Sequence, residues 1–176
     1  MPESWQTRLN RYAFNWFPAY RGTGARVTYI ASDWSEVRVR VPLNWRTRNY
    51  VGTIFGGSLY GALDPIYMLM LIKLLGPDYV VWDKSALIRF RRPGRGTLYG
   101  TFRLGPEDLT AIRTTVAQAG KSEPQFTVSL ADQAGEVHVI CEKLLSIRRR
   151  DPTGSGVMPG RQNPSTPGKP PSGATS

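Results

Sequence analysis

The segment of residues 58–75 constrains the fold more than any other part of the sequence, because 13 of its 18 residues are apolar. As a helix it would span roughly 27 Å, close to the thickness of a bilayer. A helix that is apolar almost all round either crosses a membrane or is buried in a protein core. Asp64, Pro65 and Lys73 interrupt the segment, and both flanks have the composition of a soluble protein. We therefore predict a buried central helix and no transmembrane segment.

The length of 176 residues is enough for one domain with its own core. Residues 151–176 are rich in Pro, Gly and Ser and contain few apolar residues, which is typical of a disordered tail. The folded domain is therefore expected to comprise residues 1–150. Cys141 is the only cysteine and His138 the only histidine. Their scarcity excludes an intrachain disulfide and a Cys-based zinc site, and we expect neither a metal nor a cofactor.

The chain carries 23 basic and 13 acidic residues, a formal net charge of +10. A basic surface attracts polyanions in general: nucleic acid, anionic lipid or phosphate-rich ligands such as coenzyme A. It is equally compatible with a solvated surface in an arginine-rich proteome. The start of the chain lacks the apolar run of a signal peptide, so a cytoplasmic location is expected.

The remaining secondary structure follows from residue spacing and turn residues. We predict an amphipathic helix at residues 4–17 and a hairpin at 27–41, then strands at 79–91 and 97–104, a helix at 106–119, and strands at 125–131 and 136–148. Antiparallel hairpins around one hydrophobic helix predict an α+β layer in which the sheet curls round the helix.

Asp64 needs an explanation because a carboxylate in an apolar helix is costly to bury. In general, desolvation raises the pKa of a carboxylate toward the range useful for a general base. Alternatively, Asp64 caps a helix that begins at Pro65, since Asp followed by Pro is a favourable N-cap and N1 pair. If the helix instead runs through from Ser58, Pro65 should kink it and leave the Gly61 carbonyl without a partner. The sequence leaves both interpretations open.

Gly52, Gly56 and Gly57 precede this helix. Free N–H groups at a helix start can bind an oxyanion or a carbonyl oxygen. The glycines are equally compatible with a tight turn that leads into the helix.

The spacing of these residues resembles that of hotdog-fold acyl-CoA thioesterases of the phenylacetyl-CoA thioesterase type. Their pattern is Asn-x-x-Gly-x-x-His-Gly-Gly-x6-Asp, and the corresponding positions here are Asn49, Gly52, Phe55, Gly56-Gly57 and Asp64. The stretches GTIFGGSLYGALDPIYMLML and YVVWDKSALIRFRRPGRGT are most similar to a bacterial hotdog family of unknown function. The resemblance covers about residues 5–150 and implies a hotdog fold, an antiparallel sheet wrapped around a long hydrophobic central helix.

The resemblance also implies roles. Asp64 would activate water or attack the thioester, the Gly57 N–H would polarise its carbonyl, and Asn49 would reach the site from the facing subunit. Gly56 and Phe55 would lie against the substrate. Phe55 stands where the family has histidine, so the second hypothesis is a non-catalytic hotdog module that binds acyl-CoA or a fatty-acyl ligand.

Further candidates lie on the long strand and the turn after it. Asp83 takes a position that carries Ser or Thr near the catalytic water in some relatives, and Lys84 is its neighbour; an ion pair at the strand start is the alternative. Arg91, Arg92 and Arg95 are candidates for the phosphates of coenzyme A. His138 is interpreted as structural.

The strand at 79–91 would be an exposed edge in a monomer, so we predict a homodimer or homotetramer. A third hypothesis, a basic nucleic-acid or membrane-surface protein, would require an exposed aromatic–basic stripe. The aromatic residues of the predicted sheet are few and mostly face the core. We expect acyl-CoA or a similar thioester as the partner, and no nucleic acid.

Overall fold

The computed structural model describes residues 2–150, and the predicted tail at 151–176 lies outside the described residues. The helices are α1 (Trp5–Trp16), α2 (Pro18–Gly22), α3 (Gly56–Leu63), α4 (Ile66–Leu75) and α5 (Pro106–Ala119). The strands are β1 (Arg26–Ile30), β2 (Glu36–Val41), β3 (Tyr79–Phe90), β4 (Leu98–Arg103), β5 (Lys121–Ser122), β6 (Gln125–Ala131) and β7 (Val137–Arg149). Every predicted element is present, and the sequence analysis missed only the short α2 and β5.

The strands form one seven-stranded antiparallel sheet in the order β1-β2-β4-β6-β7-β3, with β5 paired to β7. Alternation along β2 buries Val37, Val39 and Val41 and exposes Arg38 and Arg40. One face of the sheet is therefore apolar and packed, while the other is wet and basic. The long strand β3 lies at an edge of the sheet.

Helices α3 and α4 lie against the apolar face and supply much of the core, including Leu63, Met70 and Leu71. The whole segment Gly56–Leu75 is long and apolar enough to cross a membrane by length and composition, but half of it is buried within the fold, as in a core helix. This arrangement confirms the hotdog fold: an α+β layer in which the sheet wraps around a hydrophobic central helix.

The central helix runs through Asp64 and does not begin after it. Asp64 has helical backbone angles (φ −50°, ψ −54°), and its N–H donates to the Tyr60 carbonyl at 2.9 Å. Helix α4 has no side-chain cap, so the interpretation of Asp64 as an N-cap is wrong. Pro65 causes the break between α3 and α4 because it has no N–H to donate to Gly61. Gly61 also permits close packing, since a Cβ there would lie 2.8 Å from Cγ2 of Thr23.

Helix α1 has the predicted amphipathic pattern, and Ser4 caps it through a reciprocal pair of hydrogen bonds with Thr7. Thr7 is buried and Phe14 is half-buried, and both lie on one side of the helix. The opposite side carries the large apolar residues and faces solvent; these are Trp5, Leu9, Tyr12 and Trp16.

Candidate active site

Asp64 lies in a cluster of four polar side chains between the central helix and the sheet. Its Oδ1 accepts a hydrogen bond from Tyr60 Oη at 2.7 Å and another from Lys143 Nζ at 2.7 Å. The same Lys143 Nζ lies 3.1 Å from Oδ1 of Asp83. One ammonium therefore serves two carboxylates, and the cluster as a whole is negative.

Burial differs sharply within this cluster. The Lys143 side chain has no exposed surface, whereas the side chains of Asp83 and Asp64 are 24% and 42% exposed. The charge of Lys143 is thus held inside the protein, where both carboxylates stabilise it. Asp64 lies at the boundary between the core and water, where a reacting molecule can meet it.

The pKa values follow this geometry. Burial by itself lowers the pKa of Lys143, but the hydrogen bond to Asp64 and the charge of Asp83 outweigh it and raise the pKa above its ordinary value. Lys143 is therefore charged at neutral pH. Burial raises the pKa of Asp83, and the attraction of Lys143 does not fully compensate. Burial and the hydrogen bond to Asp64 also raise the pKa of Tyr60, which keeps its hydroxyl as a donor.

Strand β7 positions Lys143 through simple alternation. Its inward residues are buried, and all of them are apolar except the lysine: Val139, Cys141, Lys143, Leu145 and Ile147. Lys143 thus takes a core position of the strand and points toward the central helix. The sequence analysis missed it, although a lysine at an inward position of an otherwise apolar alternation is a signal that could have found it.

The sequence analysis also missed Tyr60, although its spacing from Asp64 could have indicated it. It lies four residues before Asp64, so the two side chains share one face of α3.

A bulge in β3 directs the side chains of Asp83 and Lys84 to different surroundings. Asp83 pairs with Leu145 and Ser85 with Leu144, so Lys84 is the extra residue in the strand. Lys84 turns outward and forms an ion pair with Glu123 at 2.6 Å. The structure therefore places Asp83 in the Asp64 cluster and Lys84 outside it. The lysine beside Asp64 is Lys143.

A second group of predicted residues lines a different cavity, of about 310 Å³. Asn49, Gly56, Arg91 and Arg92 contribute to it, together with Ile54, Leu59, Phe90 and Pro93. Arg95 is exposed on the loop after β3 and is not among the lining residues. This cavity unites a basic rim with apolar walls, which suits a ligand with both phosphate and hydrophobic parts.

The Asn49 amide holds the turn that leads to the central helix. Its Oδ1 accepts from the N–H groups of Val51 and Thr53 at 3.1 and 2.9 Å, and its Nδ2 donates to Thr53 Oγ1 at 2.9 Å. Within one chain, Asn49 is therefore a structural residue of the loop that shapes the second cavity.

The start of α3 has no side-chain cap, so its first N–H groups are available to an acceptor. The Phe55 ring packs against Gly57, where an added Cβ would collide with it. Gly57 and Asp64 are seven residues apart on one helix, so they are separated by roughly 10 Å along the axis. The amide and the carboxylate of a single chain lie too far apart to hold the same thioester group.

A third feature is an apolar cavity of about 370 Å³ beside Asp64. Its lining comes from α1, α2 and the central helix, namely Phe14, Phe17, Ala19, Tyr20, Thr23, Gly61, Asp64, Pro65, Met68 and Leu69. Asp64 is the only charged residue among these lining residues. An apolar cavity with one carboxylate suits an acyl chain whose reactive end meets Asp64.

His138 does not belong to the Asp64 cluster. Its Nδ1 lies 3.1 Å from the Pro93 carbonyl, and its Nε2 lies 3.6 Å from Oδ2 of Asp132. Asp132, Glu136 and His138 could together hold a cation by spacing, but Glu136 is already paired with Arg92 at 3.0 Å. Among the described residues, this is the one group of metal-ligating side chains found.

The fold is that of a thioesterase-like hotdog protein. The chain is similar to a Pseudomonas aeruginosa protein of unknown function that is described as a probable thioesterase, with 25% identity and a TM-score of 0.73 over 85% of this chain and 99% of that one. It also resembles a Chlorobaculum tepidum protein of unknown function, with 14% identity and a TM-score of 0.65 over 82% of this chain and 94% of that one. A Haemophilus influenzae thioesterase has 12% identity and a TM-score of 0.61 over 84% of this chain and 93% of that one.

The family model that matches residues 6–147 is described as a domain of unknown function, DUF4442. The chain belongs to this family. No curated protein matches it.

Proposed function

We propose that the protein is an acyl-CoA thioesterase that hydrolyses its substrate to a free acid and coenzyme A. The observation that carries the proposal is Asp64, which two donors orient at the wall of an apolar cavity. Its Oδ1 is held in an ion pair with Lys143, while the side chain as a whole is 42% exposed. Asp64 is therefore both fixed in position and accessible to a reacting molecule.

The contacts of Asp64 suggest how it acts. Tyr60 and Lys143 both bind Oδ1, so we assign Oδ2 to the reaction. As a general base, Oδ2 takes a proton from water, and the hydroxide attacks the thioester carbonyl. The tetrahedral intermediate collapses, the C–S bond breaks, and the thiolate of coenzyme A takes the proton back from Oδ2, which regenerates the base. Direct attack by Oδ2, followed by hydrolysis of the anhydride, gives the same products.

The complete site would lie between two chains. Gly57 is roughly 10 Å from Asp64 of its own chain, so a carbonyl that Gly57 polarises must meet the Asp64 of a partner. A homodimer formed along the exposed edge strand β3 would also cover apolar residues there, including Leu87 and Phe90.

Coenzyme A would occupy the cavity near Asn49. Arg91 and Arg92 line it, and their guanidinium groups can bind phosphate, Arg92 through the N–H groups that its ion pair with Glu136 leaves free. Arg95 is exposed on the same loop and is placed to extend this rim.

The test is thiol release from a panel of short, long and aromatic acyl-CoA substrates. Asp64→Asn should leave the fold intact and lower hydrolysis on the order of a hundredfold or more, the usual scale for losing a general base. Asp78→Asn, at an exposed residue just before β3, is the matched control and should retain full activity. Equal activity of the wild type and Asp64→Asn would refute the proposal.

A second function, a non-catalytic acyl-CoA binding module, is favoured by one observation. Phe55 takes the position at which the resembling thioesterases have histidine, and its ring lies against Gly57. A wild-type protein that binds acyl-CoA tightly but releases no thiol from any member of the panel would support the binding module and exclude the enzyme.

A further inference from the structure

The outward side of α1 is an unusual surface. Trp5 and Trp16 are 74% and 66% exposed, and Leu9 and Tyr12 between them are 61% and 52% exposed. Their spacing of four, three and four residues places them in one stripe along the helix. Large side chains of this kind are rarely exposed together on a surface without a partner.

Tertiary contacts determine which way this stripe faces. Asn15 on the inner side of α1 exchanges two hydrogen bonds with the backbone of Val27 in β1, at 2.8 and 2.9 Å. Thr7 is buried on the same side and Phe14 packs on Tyr20 with ring centres 4.4 Å apart. Rolling the helix to bury the tryptophans would break all of these contacts.

The stripe continues beyond α1 through arginine–aromatic pairs. The Arg21 guanidinium lies 4.6 Å from the centre of the Trp16 ring, and Arg46 Nη2 donates to the Arg21 carbonyl at 3.2 Å. Arg46 in turn lies 5.8 Å from the ring of Trp45, which is also exposed. We call the stripe of α1 together with Arg21, Arg46 and Trp45 the aromatic–arginine face.

The charge around this face is strongly positive. Within residues 2–32 there are four arginines, and the only acidic residue is Glu3. Glu3 is already engaged, since Arg11 binds it at 2.8 Å, and Arg11 also stacks on Tyr12 at 4.9 Å. Arg8 flanks the stripe, is largely exposed and lies 3.7 Å from the Glu3 carboxylate, which it shares with Arg11.

We propose that the aromatic–arginine face binds the surface of an anionic lipid bilayer. Tryptophan and tyrosine favour the level of the lipid headgroups, where their rings are apolar and their N–H or O–H groups stay hydrated. Arginine side chains extend along such a surface and bind anionic headgroups, while Leu9 enters the acyl boundary. The combination is that of a helix lying in the plane of the membrane interface.

Charge and shape argue against the other occupants. A second copy docked face to face would set Arg8, Arg21 and Arg46 against the same arginines of its partner. Single-stranded nucleic acid usually follows a basic groove, whereas this face is the convex side of a helix.

The face is linked to the active-site cavity. Phe17 follows Trp16 directly, is itself exposed, and lines the apolar cavity that contains Asp64. If the proposed function holds, an acyl chain could pass from the bilayer past Phe17 toward Asp64. The substrates would then be long-chain acyl thioesters that partition into membranes.

The direct test is flotation of the full chain with vesicles and needs no enzymatic activity. We expect binding to phosphatidylcholine vesicles that contain about one third phosphatidylglycerol, weaker binding to pure phosphatidylcholine, and loss of binding at high salt. The double substitution Trp5→Ser and Trp16→Ser should reduce binding on the order of tenfold or more. Arg8→Glu with Arg21→Glu should do the same through charge alone. Tyr99→Ser, at an exposed tyrosine of β4, should bind like the wild type.

The proposal would be overturned by no flotation with anionic vesicles, by equal flotation of the tryptophan variant, or by preference for single-stranded RNA in competition with vesicles. A fall in oligomer mass for the tryptophan variant, measured by light scattering, would identify a second copy as the occupant and would also overturn it. Thiol release from a short, water-soluble acyl-CoA should be unchanged in the tryptophan variant. Failure of lipid binding is therefore distinguishable from failure of the proposed hydrolysis.

Discussion

Lys143 Nζ lies 2.7 Å from Oδ1 of Asp64, although the two residues are 79 positions apart in the chain. The lysine comes from the inward side of β7 and the aspartate from the break in the central helix. Because the same ammonium also lies 3.1 Å from Asp83, Lys143 joins three elements of the fold. Its buried positive charge offsets the electrostatic repulsion between the two neighbouring carboxylates.

Replacing Lys143 with methionine should destabilise the protein and misplace Asp64. The two carboxylates would lose their shared counterion, and we expect the free energy of unfolding to fall by about 2 kcal/mol. This is less than for a fully buried pair, because water still reaches Asp64. Chemical denaturation of Lys143→Met measures the loss. Lys84→Met is the control, since Lys84 is exposed and outside the cluster, and it should leave the midpoint unchanged. Equal midpoints for the two variants would contradict this view of Lys143.

Asp83 should make stability depend on pH in an identifiable direction. Burial raises its pKa, so the folded protein holds this proton more tightly than the unfolded chain does. The contribution of Asp83 to stability is therefore fully present below the unfolded pKa of about 3.9 and is lost as the pH rises through the folded pKa. The stability of the wild type minus that of Asp83→Asn should fall as the pH rises from about 4 through the raised folded pKa of Asp83. Urea denaturation of both proteins across this range checks the sign, and a rising difference would show the pKa to be lowered.

Phe55→His should increase hydrolysis if the protein is a thioesterase of the resembling type. The histidine would replace a ring that now packs on Gly57 and could orient the thioester there. We expect a gain on the order of tenfold in kcat/KM, within the usual contribution of a positioned polar group. Phe55→Leu is the control for loss of the aromatic ring alone. No gain with histidine would indicate that the Phe55 position does not limit catalysis.

Leu87→Lys should disrupt assembly if two chains pair along β3. Leu87 is half-exposed on the edge strand, and a lysine there would set two like charges against each other in a symmetric interface. Light scattering should then show the mass of one 19.6 kDa chain instead of twice that value. Tyr99→Lys, an equivalent change on the exposed side of β4, should leave the assembly intact. A wild type that is monomeric at micromolar concentration would refute the pairing itself.

The local structure could be predicted from the sequence because it depends on neighbouring residues. The predicted helix at 106–119 has the bounds of α5, and the predicted strand at 125–131 those of β6. Apolar length, together with Asp64, Pro65 and Lys73 inside the segment, indicated a buried central helix, and this pattern is visible along the chain. The hotdog fold was implied by the resemblance that the motif from Asn49 to Asp64 carries.

The organisation of the site required the tertiary structure. The sequence could not decide between a capping Asp64 and one inside the helix; the backbone at Pro65 decided it. The sequence analysis named Lys84 and missed Lys143, and which lysine reaches Asp64 depends on a bulge in β3 and on its pairing with β7.

The outward direction of the α1 stripe also required the tertiary structure. The spacing of Trp5 and Trp16 shows that they share one face of the helix, but not whether that face packs against the sheet or points to solvent. The sequence determined which residues share a face of each element, because that depends on backbone periodicity. Only the tertiary structure decided which faces meet, because that depends on how all the elements pack at once.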